Sequence, residues 1–165
     1  TLENALQNAL KNDYAVAGLV TLGWEDMKAY VEAAEKENCP VILQAGPSCR
    51  QHTPLPILGK MFNYLADNTN IPVVAHLDHG YSLEECKIAI DSGFSSVMYD
   101  GSRKSLNKNI DETAKICEIA HSAGVPARVR SVSLGILVER SQLVQTQRKP
   151  LYLQKILKSM LWRYL

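Results

Sequence analysis

The chain has 165 residues, of which 46% are hydrophobic, carries a net charge of +1 and contains four cysteines. That length suits one ordinary domain or part of a larger one. No apolar run approaches the roughly 20 residues of a membrane span, and the start of the chain, at Thr1, lacks the basic-then-apolar pattern of a secretory signal. Cys39, Cys49, Cys86 and Cys117 are scattered with no CxxC pair, which argues for reduced thiols in a cytoplasmic protein rather than a disulfide framework or a zinc finger. The small net charge hides an asymmetry. Residues 1–126 hold ten Lys/Arg against sixteen Asp/Glu, whereas residues 127–165 hold eight Lys/Arg and only Glu139.

Residues 2–12 are predicted helical, with Leu2, Leu6 and Leu10 four apart. Tyr14 to Leu22 reads as a strand, and Trp24 to Glu37 as a helix that Asn38 stops. Pro40-Val41-Ile42-Leu43-Gln44 is a second strand, and residues 45–53 are expected to be a polar loop. Leu55 to Asn68 is a further helix, and residues 71–76 a third strand. Ser82 with Glu85 three residues on is a capping-box pattern for a helix that Gly93 ends. Phe94 to Tyr99 is the fourth strand, followed by a helix from Ser105 or Asn107 to about Ala123, closed by Gly124.

Strands that alternate with helices call for parallel βαβ units, an α/β fold. A (β/α)8 barrel needs about 250 residues, so the ordered part reads as half a barrel or a small open sheet. No GxGxxG or GxxxxGK[ST] follows any strand, which weakens a nucleotide-binding reading.

The most informative stretch is Ile71-Pro72-Val73-Val74-Ala75-His76-Leu77-Asp78-His79-Gly80. Two imidazoles and a carboxylate at the end of an apolar strand are costly unless paired or metal-bound, and strand ends are where parallel α/β folds place chemistry. A lone strand-end histidine is more often a hydrogen-bonded structural residue. Alternation puts His76 and Asp78 on one face, and Leu77 and His79 on the other. One metal ligand plus one acid/base group is therefore expected, not two ligands of one ion. The fourth strand also ends in a carboxylate, in Tyr99-Asp100-Gly101-Ser102, and neighbouring parallel strands bring Asp78, His79 and Asp100 to one rim. Gly80, Gly101 and Ser102 allow close backbone approach to an anionic ligand. Ser48, in the loop after the second strand, could donate to a phosphate.

The second strand, the His-x-Asp-His-Gly strand, the segment Gly93 to Ser102, Asn109-Ile110 and Ala120 to Val125 together resemble the class II, zinc-dependent ketose-bisphosphate aldolases over residues 1–126. The resemblance implies the first four βα units of a (β/α)8 TIM barrel. It implies cleavage of fructose or tagatose 1,6-bisphosphate to dihydroxyacetone phosphate and glyceraldehyde 3-phosphate. Asp78 matches the catalytic acid/base at the C4 hydroxyl, His79 a ligand of the catalytic Zn2+, and Asp100 a ligand of a second divalent metal position. Ser48, Gly101 and Ser102 are carried as substrate contacts. The implied partner is a phosphorylated ketose or triose, with no nucleic acid and no membrane, and full-length members are expected to be homo-oligomers. Two departures leave the substrate open. Gly18-Leu19-Val20-Thr21 stands where many relatives carry Phe-Asn, and Ala45-Gly46-Pro47-Ser48 where many carry a Ser closer to the strand.

After Val125 the family continues with Glu-x-Glu-x-Gly and, later, two more zinc histidines. This chain has Arg128-Val129-Arg130-Ser131 and no His after His121, while a catalytic zinc takes three protein ligands and an open position. A truncated chain, inactive alone, is the expectation. Residues 127–165 read as an aberrant basic tail, the product of a one-base frame shift. Read one base earlier, Arg128-Val129-Arg130 permits Glu-Gly-Glu, and Glu/Asp codons displaced by one base yield many Arg and Lys. The alternative is a non-enzymatic half-barrel binding module. Leu153, Ile156, Leu157, Met160, Leu161 and Tyr164 would then form a basic amphipathic helix for a membrane surface or a partner.

Overall fold

The computed structural model describes residues 2–130, in which helices and strands alternate from the first element to the last. In chain order they are α1 (Leu2–Lys11), β1 (Ala17–Thr21), α2 (Trp24–Lys36), β2 (Val41–Ala45), α3 (Pro47–His52) and α4 (Leu55–Asp67). Then come β3 (Val73–Gly80), α5 (Leu83–Asp91), β4 (Ser96–Asp100), α6 (Leu106–Ser122) and β5 (Ala127–Arg130). The stops follow the expected chemistry. Asn38, Gly93 and Gly124 adopt φ of 51°, 88° and 69°, the left-handed conformation that turns a chain out of a helix. At the start of α5, the Ser82 hydroxyl accepts the Glu85 amide at 3.1 Å.

Three elements differ from the sequence expectation. Residues 45–53 are not all loop, since α3 forms within them. Pro47 opens it with a preset φ, and the helix buries Cys49 against the sheet. Strand β3 runs on through His79 and Gly80 instead of stopping at His76. A fifth strand, β5, pairs in parallel with β4 (Val97 opposite Ala127, Asp100 opposite Arg130). Residues 127–130, read from sequence as the head of the basic tail, thus lie in the sheet. The amphipathic helix expected further on lies outside the described residues.

All five strands are parallel, in the order β1-β2-β3-β4-β5. Strictly consecutive order with right-handed crossovers places every crossover helix on the same face, as in the outer ring of a barrel. A doubly wound sheet would reverse its order part-way. One face accordingly carries the main core: Val41, Leu43, Ala75, Leu77, Val97 and Tyr99 pack on Met27, Leu58, Phe62, Ala89 and Ile116 of the helices. On the opposite, inner face, Ile42 and Val74 meet Leu2 and Ala5 of α1. Beyond that small cluster the inner face turns polar, with Gln44, His76 and Ser96 side by side in register. Among the described residues no helix is long and apolar enough to cross a membrane.

Phe62 is fully buried and meets Phe94 edge to face at 5.4 Å between ring centroids. Phe62→Ala is expected to destabilise the fold by about 3–5 kcal/mol, read from the shift of the urea midpoint at constant slope.

Candidate active site

The site forms where β3 leaves regular alternation. His79 sits at φ 55°, a left-handed conformation that costs a non-glycine residue about 1–3 kcal/mol. The pairing with β4 shifts between Leu77 and Gly80, so three steps on β3 oppose two on β4. This irregularity overturns the expectation that His79 points away from Asp78. The twisted backbone brings the imidazole to the carboxylate side, with Nε2 3.9 Å from Asp78 Oδ2 and Nδ1 2.6 Å from Asp100 Oδ2. At that distance from a carboxylate, Nδ1 carries the proton and donates it. Gly80 completes the bend, since a Cβ there would lie 2.9 Å from both Cys86 Sγ and a Leu77 methyl.

Arg50, a residue that sequence reasoning missed, holds this bend in place. Its side chain is only 5% exposed. Nη1 donates to the carbonyls of Ala45 (3.1 Å) and Asp78 (2.7 Å), and Nη2 donates to that of His79 (2.6 Å). Nε donates to Glu85 Oε1 at 2.6 Å, and Glu85 Oε2 accepts the Tyr81 amide at 2.7 Å. One guanidinium thus ties together the ends of β2 and β3 and the first turn of α5. A lone arginine in a polar segment gives no sequence signal of this. The only hint was Glu85, noted as a capping residue. Arg50→Ala would leave Glu85 and three carbonyls without their donor, and a loss of about 3 kcal/mol in unfolding free energy is expected. Arg50→Lys is expected to recover only part of it, because an ammonium cannot reproduce the planar fork.

Asp100, at the end of β4, is almost fully buried. Oδ1 accepts the Ser102 amide at 3.1 Å, and Oδ2 takes the His79 proton. The Arg130 guanidinium lies 3.6 Å from Oδ2 and approaches His79 Nδ1 at 3.4 Å. Burial pushes the Asp100 carboxyl up, but the hydrogen bonds from Ser102 and His79 and the charge of Arg130 outweigh it and hold the group below its ordinary value. Gly101 is required by packing, because a Cβ there would fall 2.1 Å from Asn109 Oδ1.

His76, the other histidine of the motif, is a structural group. It is fully buried; Nδ1 bonds Ser96 Oγ at 2.8 Å, and Nε2 has no partner among the described residues. Burial, reinforced by Arg128 and His79, lowers its pKa from 6.5 to about 4. Between those values the unfolded chain binds a proton that the fold does not. His76 therefore stabilises the fold fully above pH 6.5 and progressively less as the pH falls towards 4. The full effect is on the order of 3 kcal/mol. His76→Asn is expected to flatten the pH dependence of the denaturation midpoint within that window, as measured by urea titration at pH 7, 6 and 5.

The structure brings together Asp78, His79 and Asp100 of the sequence-predicted residues, with Ser102 bound to Asp100 by its amide and Gly101 between them. Ser48 is exposed in the first turn of α3, which follows β2 at the same end of the sheet. The residues present do not make up the implied metal site. Among the described residues no group of three His, Cys, Asp or Glu side chains is placed to hold an ion. The sequence after Arg130 offers no His, Cys or Asp, and one Glu.

The sequence profile of the family described as fructose-bisphosphate aldolase class-II matches residues 1–132, through β5. The chain belongs to this family. A fructose-bisphosphate aldolase of Staphylococcus epidermidis is 38% identical over 138 residues, which are 82% of this chain and 48% of the relative. A 6-phospho-5-dehydro-2-deoxy-D-gluconate aldolase of Shouchella clausii is 38% identical over 125 residues, 73% of this chain and 42% of that one. Among solved structures, the YdjI aldolase from Escherichia coli K12 superposes with a TM-score of 0.73 at 27% identity, over 78% of this chain and 49% of that one. Fructose-bisphosphate aldolase from Campylobacter jejuni, at 24% identity and a TM-score of 0.70, shares the fold over 82% of this chain and 47% of its own. This member of the class II aldolase family therefore spans about half the length of the relatives it matches. Its five consecutive parallel strands correspond to part of their barrel.

Proposed function

We propose that this chain carries the proton-transfer side of a class II aldolase site, and that the 165-residue polypeptide alone does not turn over a ketose bisphosphate. The observation that supports this most directly is the gathering of Asp78, His79 and Asp100 at one rim of the sheet in a chain of this family. The reaction is the retro-aldol cleavage of fructose or tagatose 1,6-bisphosphate. Asp78, whose carboxylate stands at the rim beside His79, takes the proton of the C4 hydroxyl. The C3–C4 bond then breaks, glyceraldehyde 3-phosphate leaves as the aldehyde, and the electron pair passes into the enediolate of dihydroxyacetone phosphate. Ser48, Gly101 and Ser102 are the proposed phosphate and hydroxyl contacts. Zn2+ is the family's Lewis acid for the enediolate, and His79 is the one residue of its ligand set matched here. Two further ligands would have to come from outside this chain's residues. The cytoplasm is the proposed compartment, and a homo-oligomer the proposed state of the full-length protein.

We propose further that the residues from about 127 onward are frame-shifted, which accounts for the break in charge and for Arg at 128 and 130. Re-reading the source DNA across codons 124 to 132 tests this. A single base that restores Glu at 128 and 130, with histidines downstream, is the expected result. An intact frame overturns it.

The purified chain, assayed with Zn2+ on fructose 1,6-bisphosphate, tagatose 1,6-bisphosphate and 6-phospho-5-dehydro-2-deoxy-D-gluconate, is expected to show no turnover above background. Chelator-sensitive cleavage would overturn the inactivity of the chain. In the frame-restored protein, Asp78→Asn is expected to cost about 10²–10⁴-fold in kcat. An unchanged kcat there would remove Asp78 from the proton-transfer role.

A further inference from the structure

We propose that Arg130 is the resident cation of this site, and that its guanidinium fills the side of Asp100 which a divalent metal would need and so excludes one. The inference goes beyond the aldolase reading, and it rests on geometry that β4 and β5 fix together.

Arg130 lies opposite Asp100 in the parallel register. Its backbone is anchored, since its carbonyl accepts from Asn109 Nδ2 at 3.3 Å. Its Nη1 stands 3.6 Å from Asp100 Oδ2 and 3.4 Å from His79 Nδ1, to one side of the pair. The Asp100 carboxylate is only 5% exposed, so its charge needs a compensating cation. Oδ1 accepts the Ser102 amide, and Oδ2 takes the His79 proton. Arg130 lies along a second approach to Oδ2.

The two histidine contacts cannot both be hydrogen bonds donated to and from one nitrogen. Nδ1 gives its proton to Asp100 at 2.6 Å, so Arg130 does not donate to Nδ1 and pairs instead with the carboxylate. A metal on Oδ2 would have to displace either this proton or this guanidinium. It would also meet the fixed positive charge of an arginine, which does not deprotonate. The same side chain thus balances Asp100 and repels the ion that the family's chemistry calls for.

The test reads metal binding, not turnover, so its failure is distinct from failure of the aldolase reading. Zn2+ and Co2+ affinities are measured on the full chain by equilibrium dialysis, and bound cobalt by its visible absorption. The original chain is expected to bind weakly, with no change on Asp100→Asn. Arg130→Glu replaces the cation by a carboxylate beside His79 and Asp100. It is expected to bind at least about 30-fold more tightly, a gain that Asp100→Asn or His79→Ala removes. Stoichiometric binding by the original chain that depends on Asp100 would overturn the proposal. So would a folded Arg130→Glu chain, by circular dichroism and melting, with no gain. Should that variant not fold, Arg130→Gln removes the charge alone. A several-fold gain in it, absent in Arg130→Lys, is expected, and equal affinity in all three chains overturns the proposal.

Discussion

Asp78 and His79 stand where they do because one buried guanidinium binds the backbone beneath them. Arg50 donates to the carbonyls of both residues, to that of Ala45 at the end of β2, and to Glu85 in the first turn of α5. A strand end is normally where a chain loses its backbone partners, and each unpaired buried carbonyl carries a desolvation cost. Arg50 supplies those partners from a side chain. It thereby lets β3 run past the end of β2 and turn His79 into a left-handed conformation that the strand alone would not hold. The cost of that conformation is spread over four hydrogen bonds, which use four of the five N–H donors of the guanidinium.

The second constraint is charge at the inner face. Asp100 is buried as a carboxylate, and the groups around it are all donors or cations: the Ser102 amide, His79 Nδ1 and Arg130. Two strands away from Arg50, a second arginine thus solves the opposite problem, a buried anion in place of buried carbonyls. In both cases the planar fork of donors decides the choice, because it reaches several acceptors from one fixed geometry. His76, three residues before His79, shows the other solution. Among the described residues its one partner is Ser96, and burial without an acceptor at Nε2 keeps it neutral.

Much of the fold was legible because local rules and global topology agree. The helix stops at Asn38, Gly93 and Gly124 follow from backbone sterics alone, and the cap at Ser82 from one side-chain acceptor. Four of the five strands read as short apolar runs. Strand β5 did not, since Ala127-Arg128-Val129-Arg130 alternates charge with small apolar residues, and its membership of the sheet is set by pairing with β4. Helix α3 was hidden for a related reason: its six polar-rich residues, Pro47–His52, have no apolar periodicity to count, and a single buried residue, Cys49, fixes them to the sheet.

The sequence by itself determined the alternating parallel architecture and the chemistry-bearing residues at the ends of β3 and β4. Residue type, spacing and apolar runs are local properties, and these features depend on nothing else. It also determined that the chain after Arg130 contains no further histidine. Tertiary structure alone decided which way those residues face. Strict alternation put His79 opposite Asp78, and a single positive φ with a slipped register brought the two together. It alone decided that Arg50 and Arg130, fifty and more residues apart from one another, each meet the rim. Such contacts arise from strand register and helix packing across the sheet, which no window along the chain contains.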